Sequence, residues 1–197
     1  MFDQFHKILE KGNYDPRTNE ATGLHFSVSF ESKEKNTSIN LLKLVVLGQD
    51  SFWAKRVGRE FNTYCQSQLR NVKQAIPNLV AKILKDKKEN NLTSNVPLTI
   101  DDLREKPEFI RALTNQIQVN QKYTAMNFLR YNKGEGFIEF RLAGNDYFGS
   151  DREANLRMVE WFLYILIASS TFTLWEEEYL GWVANECNKA FMNLRKD

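Results

Sequence analysis

The chain has 197 residues, and its 27 basic and 25 acidic side chains give a formal net charge of only +2. A charge so close to zero excludes a strong overall field that would draw the protein to nucleic acid or to an anionic membrane. The apolar fraction of 42% excludes a disordered chain, so we expect a single domain over residues 1–197. Cys65 and Cys187 lie far apart without a Cys-x-x-Cys pattern, which favours a reducing, cytoplasmic setting over a zinc or disulfide framework.

Neither secretion nor membrane insertion is expected. The first residues, MFDQFHKILEKG, mix charged and apolar side chains and lack the continuous apolar core of a signal peptide. The longest uncharged apolar stretch, WFLYILIASSTFTLW at 161–175, is shorter than the roughly 18 to 20 residues that cross a bilayer. We interpret it as part of a buried helix.

The first half of the chain is predicted to be helical around one strand. Apolar residues at helical spacing predict a short helix over residues 2–9. LHFSVSFE, at 24–31, alternates apolar and polar residues and is therefore predicted to be a strand. A helix follows over about 39–47, and a longer helical stretch covers about 52–85, bent or broken near Pro77.

In the second half, Thr99 is the predicted N-cap of a helix within residues 98–117, and Pro107 either interrupts that helix or begins another. KYTAMNFLRY and GFIEFRLAG, at 122–131 and 136–144, are predicted to be neighbouring strands joined by a tight connection. Two helices complete the chain, over about 152–171 and 176–194. The predicted fold class is α+β, with a few-stranded antiparallel sheet packed by several helices.

The strands carry polar residues that are candidates for a site. Glu139 and Arg141 are two residues apart and share one strand face, and His25 alternates with apolar residues on another strand. A carboxylate and an imidazole can bind a divalent cation, and a guanidinium can fork onto phosphate oxygens. The simpler alternatives are a hydrogen-bonded surface histidine and a surface ion pair worth at most about 1 kcal/mol.

Other candidates are equally open to a structural interpretation. Arg59, at the start of a predicted long helix, is either an anion contact or a solvated arginine beside the core aromatic Tyr64. Lys122 and Asn127 lie on opposite faces of a predicted strand. Nucleotide-binding P-loops, dinucleotide fingerprints, hydrolase nucleophile elbows and zinc-protease motifs are absent from the sequence.

Taken in order, the motifs TGLHFSVS, RxxxxYC, KYTAMNF and FIEFRLAGNDY, followed by a long apolar helix, cover residues 22–172. This series resembles the C-terminal half of the amidoligases, which are carboxylate-amine ligases related to glutamine synthetase. The resemblance implies a glutamine-synthetase-like catalytic domain in which a GLHxH strand faces an EFR strand across the active site. It further implies that His25 and Glu139 hold a Mg ion, and that Arg141 contacts the phosphate of ATP or the substrate.

The sequence departs from the family pattern at three places. Ser27 replaces the second histidine of GLHxH, which is expected to contact ATP phosphate, and Lys122 replaces an arginine. No Gly-x-Glu-x-Glu strand, which supplies further metal-binding glutamates in the family, precedes residue 20. We therefore expect half a catalytic site. The chain is then a fragment, a subunit completed by a second chain or by a missing N-terminal half, or a degenerate copy.

Two functions follow. As a ligase module, the protein would use Mg-ATP to phosphorylate a carboxylate of a small molecule or peptide, and an amine would then attack the acyl phosphate. Lys122 and Arg59 would be secondary anion contacts. As the alternative, it is a non-catalytic interaction or structural protein of a phage, another virus or a mobile element, whose aromatic-rich C-terminal helices dock a partner. Neither hypothesis involves nucleic acid or a membrane.

Overall fold

Helices surround a small sheet in the computed structural model, which describes residues 25–29, 39–89, 97–117, 123–144 and 151–194. The strands are β1 (Phe26–Ser29), β2 (Met126–Asn127) and β3 (Phe137–Phe140). The helices are α1 (Leu41–Gly48), α2 (Asp50–Arg56), α3 (Gln68–Glu89), α4 (Ile100–Glu105), α5 (Pro107–Ile117), α6 (Leu129–Asn132), α7 (Arg152–Ser170) and α8 (Glu176–Asn193). The predicted α+β class, with an antiparallel sheet packed by several helices, is confirmed.

The sheet has the strand order β1-β3-β2, and both pairings are antiparallel. Ser27 of β1 and Asn127 of β2 lie on either side of Glu139 of β3, so the three residues form one row on one face. Phe26 and Phe140 form the neighbouring row, and their side chains point to the other face because side chains alternate along a strand. The sheet therefore has one polar face and one apolar face.

The apolar face packs against α7. The ring of Phe140 is stacked on that of Phe26 at a centroid distance of 4.8 Å and lies 5.0 Å from that of Phe162 in α7. Helix α1 fills the core beside them, since all eight of its residues are buried. At its end a Cβ on Gly48 would lie only 2.9 Å from Cε of Met126. The polar face of the sheet is thus directed away from this core.

Local side-chain chemistry determines where several helices begin. Asn40 caps α1, because its Oδ1 accepts a hydrogen bond from the backbone N–H of Lys43 at 3.0 Å. Thr99 caps α4 as predicted and forms a reciprocal capping box with Asp102. Pro107 begins α5, a position where its missing N–H has no intrahelical acceptor to lose.

The helical stretch predicted over 52–85 is interrupted, but the break does not lie near Pro77 as predicted. It is two helices, α2 and α3, separated by residues 57–67, and α3 runs through Pro77 without ending there. The chain turns at Gly58, which adopts a left-handed φ of 69°. The break is thus set by the turn after α2 rather than by the proline.

The predicted strand over 122–131 is also only partly correct. It is extended at Met126–Asn127 and becomes the short helix α6 at Leu129. Oδ1 of Asn127 accepts a hydrogen bond from the backbone N–H of Leu129 at 3.0 Å, which turns the chain out of the strand. The predicted pairing of this segment with the strand at 136–144 is confirmed as β2 and β3.

The helices predicted over 39–47, 152–171 and 176–194 are confirmed as α1, α7 and α8. The predicted helix over 2–9 lies outside the described residues. The expectation that the stretch 161–175 is buried holds for only one side of α7, because Ile167 keeps 64% of its surface exposed. None of the helices in the described ranges is both long enough and apolar enough to cross a membrane.

Candidate functional site

Four polar side chains meet on the polar face of the sheet, with the carboxylate of Glu139 at their centre. Its Oε1 lies 2.9 Å from Nδ1 of His25. Its Oε2 accepts hydrogen bonds from Nη2 of Arg141 at 2.8 Å and from Nδ2 of Asn127 at 3.0 Å. We call these four residues the Glu139 cluster.

The sheet register brings the Glu139 cluster together. Glu139 and Arg141 are two residues apart, so their side chains leave β3 and its extension on the same face. Asn127 lies opposite Glu139 in β2, and His25 immediately precedes β1 on the other side of β3. Three separate chain segments therefore supply groups to one carboxylate.

The cluster is partly open to solvent. The side chains of Arg141 and Glu139 are 17% and 20% exposed, and that of His25 is 47% exposed. Burial opposes ionisation of Glu139, but the hydrogen bond and charge of Arg141, the charge of His25 and the hydrogen bond of Asn127 outweigh it. The pKa of Glu139 is consequently lowered below its usual value. At neutral pH the cluster presents an ionised carboxylate held by cationic and amide donors.

The other predicted contacts have separate positions. Ser27 pairs with Glu139 across the sheet and is exposed on the same face. Lys122 lies outside the described residues, so its role as an anion contact stays a prediction. Arg59 lies further along the chain direction of β3, where its Nη1 donates to the carbonyl oxygen of Ala143 at 3.5 Å.

The surroundings of Arg59 differ from the prediction. Arg59 and Tyr64 belong to the connection between α2 and α3 rather than to a helix. Arg59, expected to be solvated in the structural interpretation, is buried, whereas the expected core residue Tyr64 is 47% exposed. Arg59 also packs so closely on Gly144 that a Cβ at that glycine would lie 2.3 Å from its Cδ.

The donor set at Glu139 fits a divalent cation as one pair of ligands. Adjacent ligands of an octahedral Mg ion, each about 2.1 Å from the metal, lie about 3.0 Å apart. The separation of 2.9 Å between His25 Nδ1 and Glu139 Oε1 is close to that value, but it is also the length of the direct hydrogen bond or ion pair between the two groups, so a cation would have to displace the proton on Nδ1. Within the described residues, no group of three or more His, Cys, Asp or Glu side chains could hold a metal. Further ligands would therefore have to come from water, phosphate or another segment.

A second carboxylate cluster was not predicted from the sequence. Asp50, the first residue of α2, is fully buried against the start of α3, where it accepts hydrogen bonds from Ser67 Oγ at 2.5 Å and from the backbone N–H groups of Gln68 at 2.5 Å and Leu69 at 3.4 Å. Burial raises the pKa of Asp50 to about 6, although these hydrogen bonds oppose the shift. Because Asp50 caps a helix that begins 18 residues later in the chain, no local sequence pattern predicts this role.

A cavity of about 670 Å³ lies over the start of α3, apart from the residues of the Glu139 cluster. Most of the residues that line it are polar, and they include Glu60, Asn62, Arg70, Lys73 and Gln74, beside the aromatic ring of Phe61. The lining mixes one acidic, two basic and several amide side chains. It therefore indicates no single class of ligand.

No protein family, curated protein or solved structure matches the chain. The resemblance to the amidoligases therefore depends on the motifs in the sequence alone.

Proposed function

We propose that the chain is a module of an ATP-dependent carboxylate-amine ligase, and that the Glu139 cluster is half of its site. The observation that carries the proposal is the convergence of His25, Asn127 and Arg141 on the carboxylate of Glu139. In the glutamine-synthetase-like arrangement, the strand with the histidine faces the EFR strand. In this chain β1 and β3 are instead antiparallel neighbours in one sheet, and their polar side chains meet on one face of it.

His25 and Glu139 would hold the Mg ion. When bound there, the ion would neutralise charge on the phosphate oxygens of ATP. The lowered pKa of Glu139 keeps its carboxylate ionised at neutral pH, which is the form that binds a cation. Asn127, through its amide donor, positions the oxygen of Glu139 that is directed away from His25.

Arg141 would have two tasks in this site. Its Nη2 orients Glu139, and its side chain is 17% exposed on the same face. A guanidinium can present several donors to phosphate oxygens, so it suits the charge that develops during phosphoryl transfer. Ser27, in the row of Glu139, would contribute a hydroxyl donor to the same phosphates, and Arg59 and Lys122 would be secondary anion contacts.

Two protein donors are few for a Mg-ATP site, so a second chain or an N-terminal half would complete it. The acid and the amine, from a small molecule or a peptide, would bind in that completed site. Cys65 and Cys187 are both buried and free, which is consistent with the reducing cytoplasm where ATP-dependent ligases work.

Titration calorimetry with ATP, with and without Mg, tests the proposal. We expect Mg-dependent binding that is lost in Glu139→Ala. Glu135→Ala is the matched control, because Glu135 is a more exposed glutamate of the same hairpin that pairs with Arg130. No Mg-dependent binding, either by the chain alone or with its completing segment, would contradict the proposal.

The alternative function, a non-catalytic interaction or structural protein of a virus or mobile element, is favoured by one observation. The outer face of α7 is apolar and exposed. If Glu139→Ala and Arg141→Ala left the biological role intact while charged substitutions on the exposed face of α7 or α8 abolished it, the alternative would be supported over the ligase.

A further inference from the structure

His25 is the most exposed member of the Glu139 cluster, and its ring meets the cluster through one nitrogen. Its side chain keeps 47% of its surface exposed, while its Nδ1 lies 2.9 Å from Oε1 of Glu139. An ionised carboxylate can only accept a hydrogen bond, so the ring nitrogen that faces it carries the proton. In the neutral imidazole the other nitrogen, Nε2, therefore holds the lone pair.

The carboxylate that fixes this tautomer of His25 is itself held in place. Oε2 of Glu139 accepts hydrogen bonds from Nη2 of Arg141 at 2.8 Å and from Nδ2 of Asn127 at 3.0 Å. A side chain oriented by a neighbour, which is in turn oriented by a third group, is the arrangement that activates weak nucleophiles in enzymes. Glu139 also offsets positive charge that develops on the ring of His25. The cluster therefore suits Nε2 as a nucleophile.

The groups beside His25 suit a phosphoryl group. His25 immediately precedes Phe26, and Arg141 immediately follows Phe140, the partner of Phe26, so the next pair in this register is His25 with Arg141. Side chains in opposite positions of neighbouring strands have Cβ atoms about 5 Å apart. A guanidinium at that distance can donate to the oxygens of a phosphate bound to the imidazole. Ser27, which is exposed, lies on the same face as His25.

We propose that Nε2 of His25 accepts a phosphoryl group from an acyl phosphate or a nucleoside triphosphate. A bond forms between Nε2 and phosphorus as the bond from phosphorus to the leaving oxygen breaks, and the carboxylate or the nucleoside diphosphate departs with the electron pair. The proton stays on Nδ1, where Glu139 offsets the positive charge of the ring. Both donors supply the same reactive group, a phosphoryl bound to a good leaving oxygen.

This activity goes beyond the proposed ligase function and does not depend on it. A cation bound between Nδ1 of His25 and Oε1 of Glu139 requires the ring proton to move to Nε2, which then has no lone pair for attack on phosphorus. His25 therefore cannot hold the Mg ion and accept the phosphoryl group at the same time. Phosphorylation needs only the cation-free cluster, so either proposal can fail without the other.

Incubation of the full chain with acetyl phosphate, and separately with ATP, both without Mg, tests the proposal. Mass spectrometry should find one added phosphoryl group on His25 that is labile to acid and stable to base, and phosphorus NMR should place it on Nε2. A label from either donor supports the proposal and identifies the source. His25→Asn should remove the label, which excludes His6, the other histidine of the chain.

The role of Glu139 is tested by the rate of labelling. Glu139→Gln should lower the rate about tenfold or more, because an amide does not offset the charge of the ring. Glu135→Gln is the matched control, since Glu135 lies on the same hairpin but pairs with Arg130, and it should be labelled at the natural rate. Circular dichroism checks that every variant is folded.

A natural chain that takes no label from either donor would overturn the proposal. A phosphoryl group on Nδ1 of His25, or equal rates for Glu139→Gln and Glu135→Gln, would also overturn it.

Discussion

Two carboxylates of this chain lie in opposite environments, and their pKa values are shifted in opposite directions. Glu139 lies on the partly open face of the sheet beside Arg141 and His25, and its pKa is lowered. Asp50 is fully buried, its hydrogen-bond donors are the hydroxyl of Ser67 and backbone N–H groups, and its pKa is raised to about 6. A perturbed pKa alone therefore does not identify a site in this chain.

The two carboxylates differ in the groups that hydrogen-bond to them and in their exposure to solvent. Arg141, together with the hydrogen bond from Asn127, keeps the carboxylate of Glu139 ionised where solvent or a ligand can reach it. The donors around Asp50 are the unpaired N–H groups at the start of α3, which every helix must satisfy. We conclude that Asp50 is a structural cap that joins α2 to α3, whereas the carboxylate of Glu139 is partly exposed and a ligand can reach it.

The largest expected effect is on stability when Asp50 is removed. Asp50→Ala removes the acceptor of the buried N–H groups of Gln68 and Leu69 and of the half-buried hydroxyl of Ser67, at about 1 kcal/mol each, so the free energy of unfolding should fall by about 3 kcal/mol. Urea unfolding measures it. Asp101→Ala, at the exposed start of α4, is the matched control and should change stability much less.

The next largest effect is the pH dependence of the contribution that Asp50 makes to the free energy of unfolding. The pKa of Asp50 is about 6 in the folded protein and about 3.9 when unfolded, so folding takes up a proton between these values. The stability of the natural sequence relative to Asp50→Asn should therefore rise by about 2 kcal/mol as the pH falls from about 7 to about 4. Comparing the two proteins cancels the contribution of Glu139, whose lowered pKa changes stability with pH in the opposite direction. A flat or falling difference would show that Asp50 does not titrate as described.

A smaller loss of stability is expected for Glu139→Ala. The carboxylate is partly solvated, and its ion pairs lie near the surface, so the free energy of unfolding should fall by about 1 kcal/mol. Urea unfolding beside Asp50→Ala makes the comparison directly. A loss equal to that of Asp50→Ala would mean that the Glu139 cluster is also chiefly structural.

The smallest effect is a change in the titration of Glu139 itself. Arg141→Met removes the strongest interaction that favours the ionised carboxylate, so the pKa of Glu139 should rise toward its ordinary value. Side-chain carboxyl NMR measured against pH follows the shift, with Arg130→Met as the control on the same hairpin. An unchanged pKa in Arg141→Met would remove the distinction drawn between the two carboxylates.

Features that depend on nearby residues could be predicted from the sequence. The cap at Thr99 and the start of α5 at Pro107 follow from side chains within a single turn. The shared face of Glu139 and Arg141 follows from the two-residue period of a strand, and the two side chains indeed meet at 2.8 Å. The meeting of Glu139 with His25 was expected from the cation-binding chemistry of an imidazole with a carboxylate and from the family resemblance, and not from a local pattern.

Features that depend on distant residues could not be predicted. Lys43 is buried because α1 is surrounded on all sides, and its Nζ donates to the carbonyl oxygen of Thr171, 128 residues away. Asp50 belongs to one helix and caps another. Asn127, left open between two strand faces, was assigned to the cluster only by the register of β2 against β3. In each case the partner is set by tertiary packing, which no local pattern contains.

The close approach of Arg59 to Gly144 has an evolutionary consequence. Any side chain at position 144 would occupy the space of the buried side chain of Arg59, whose Cδ lies 2.3 Å from the place of the missing Cβ. The two positions should therefore change together, so that relatives of this chain with a side chain at 144 carry a shorter residue at 59. Such paired substitutions would show that the connection between α2 and α3 and the segment after β3 constrain each other's sequence.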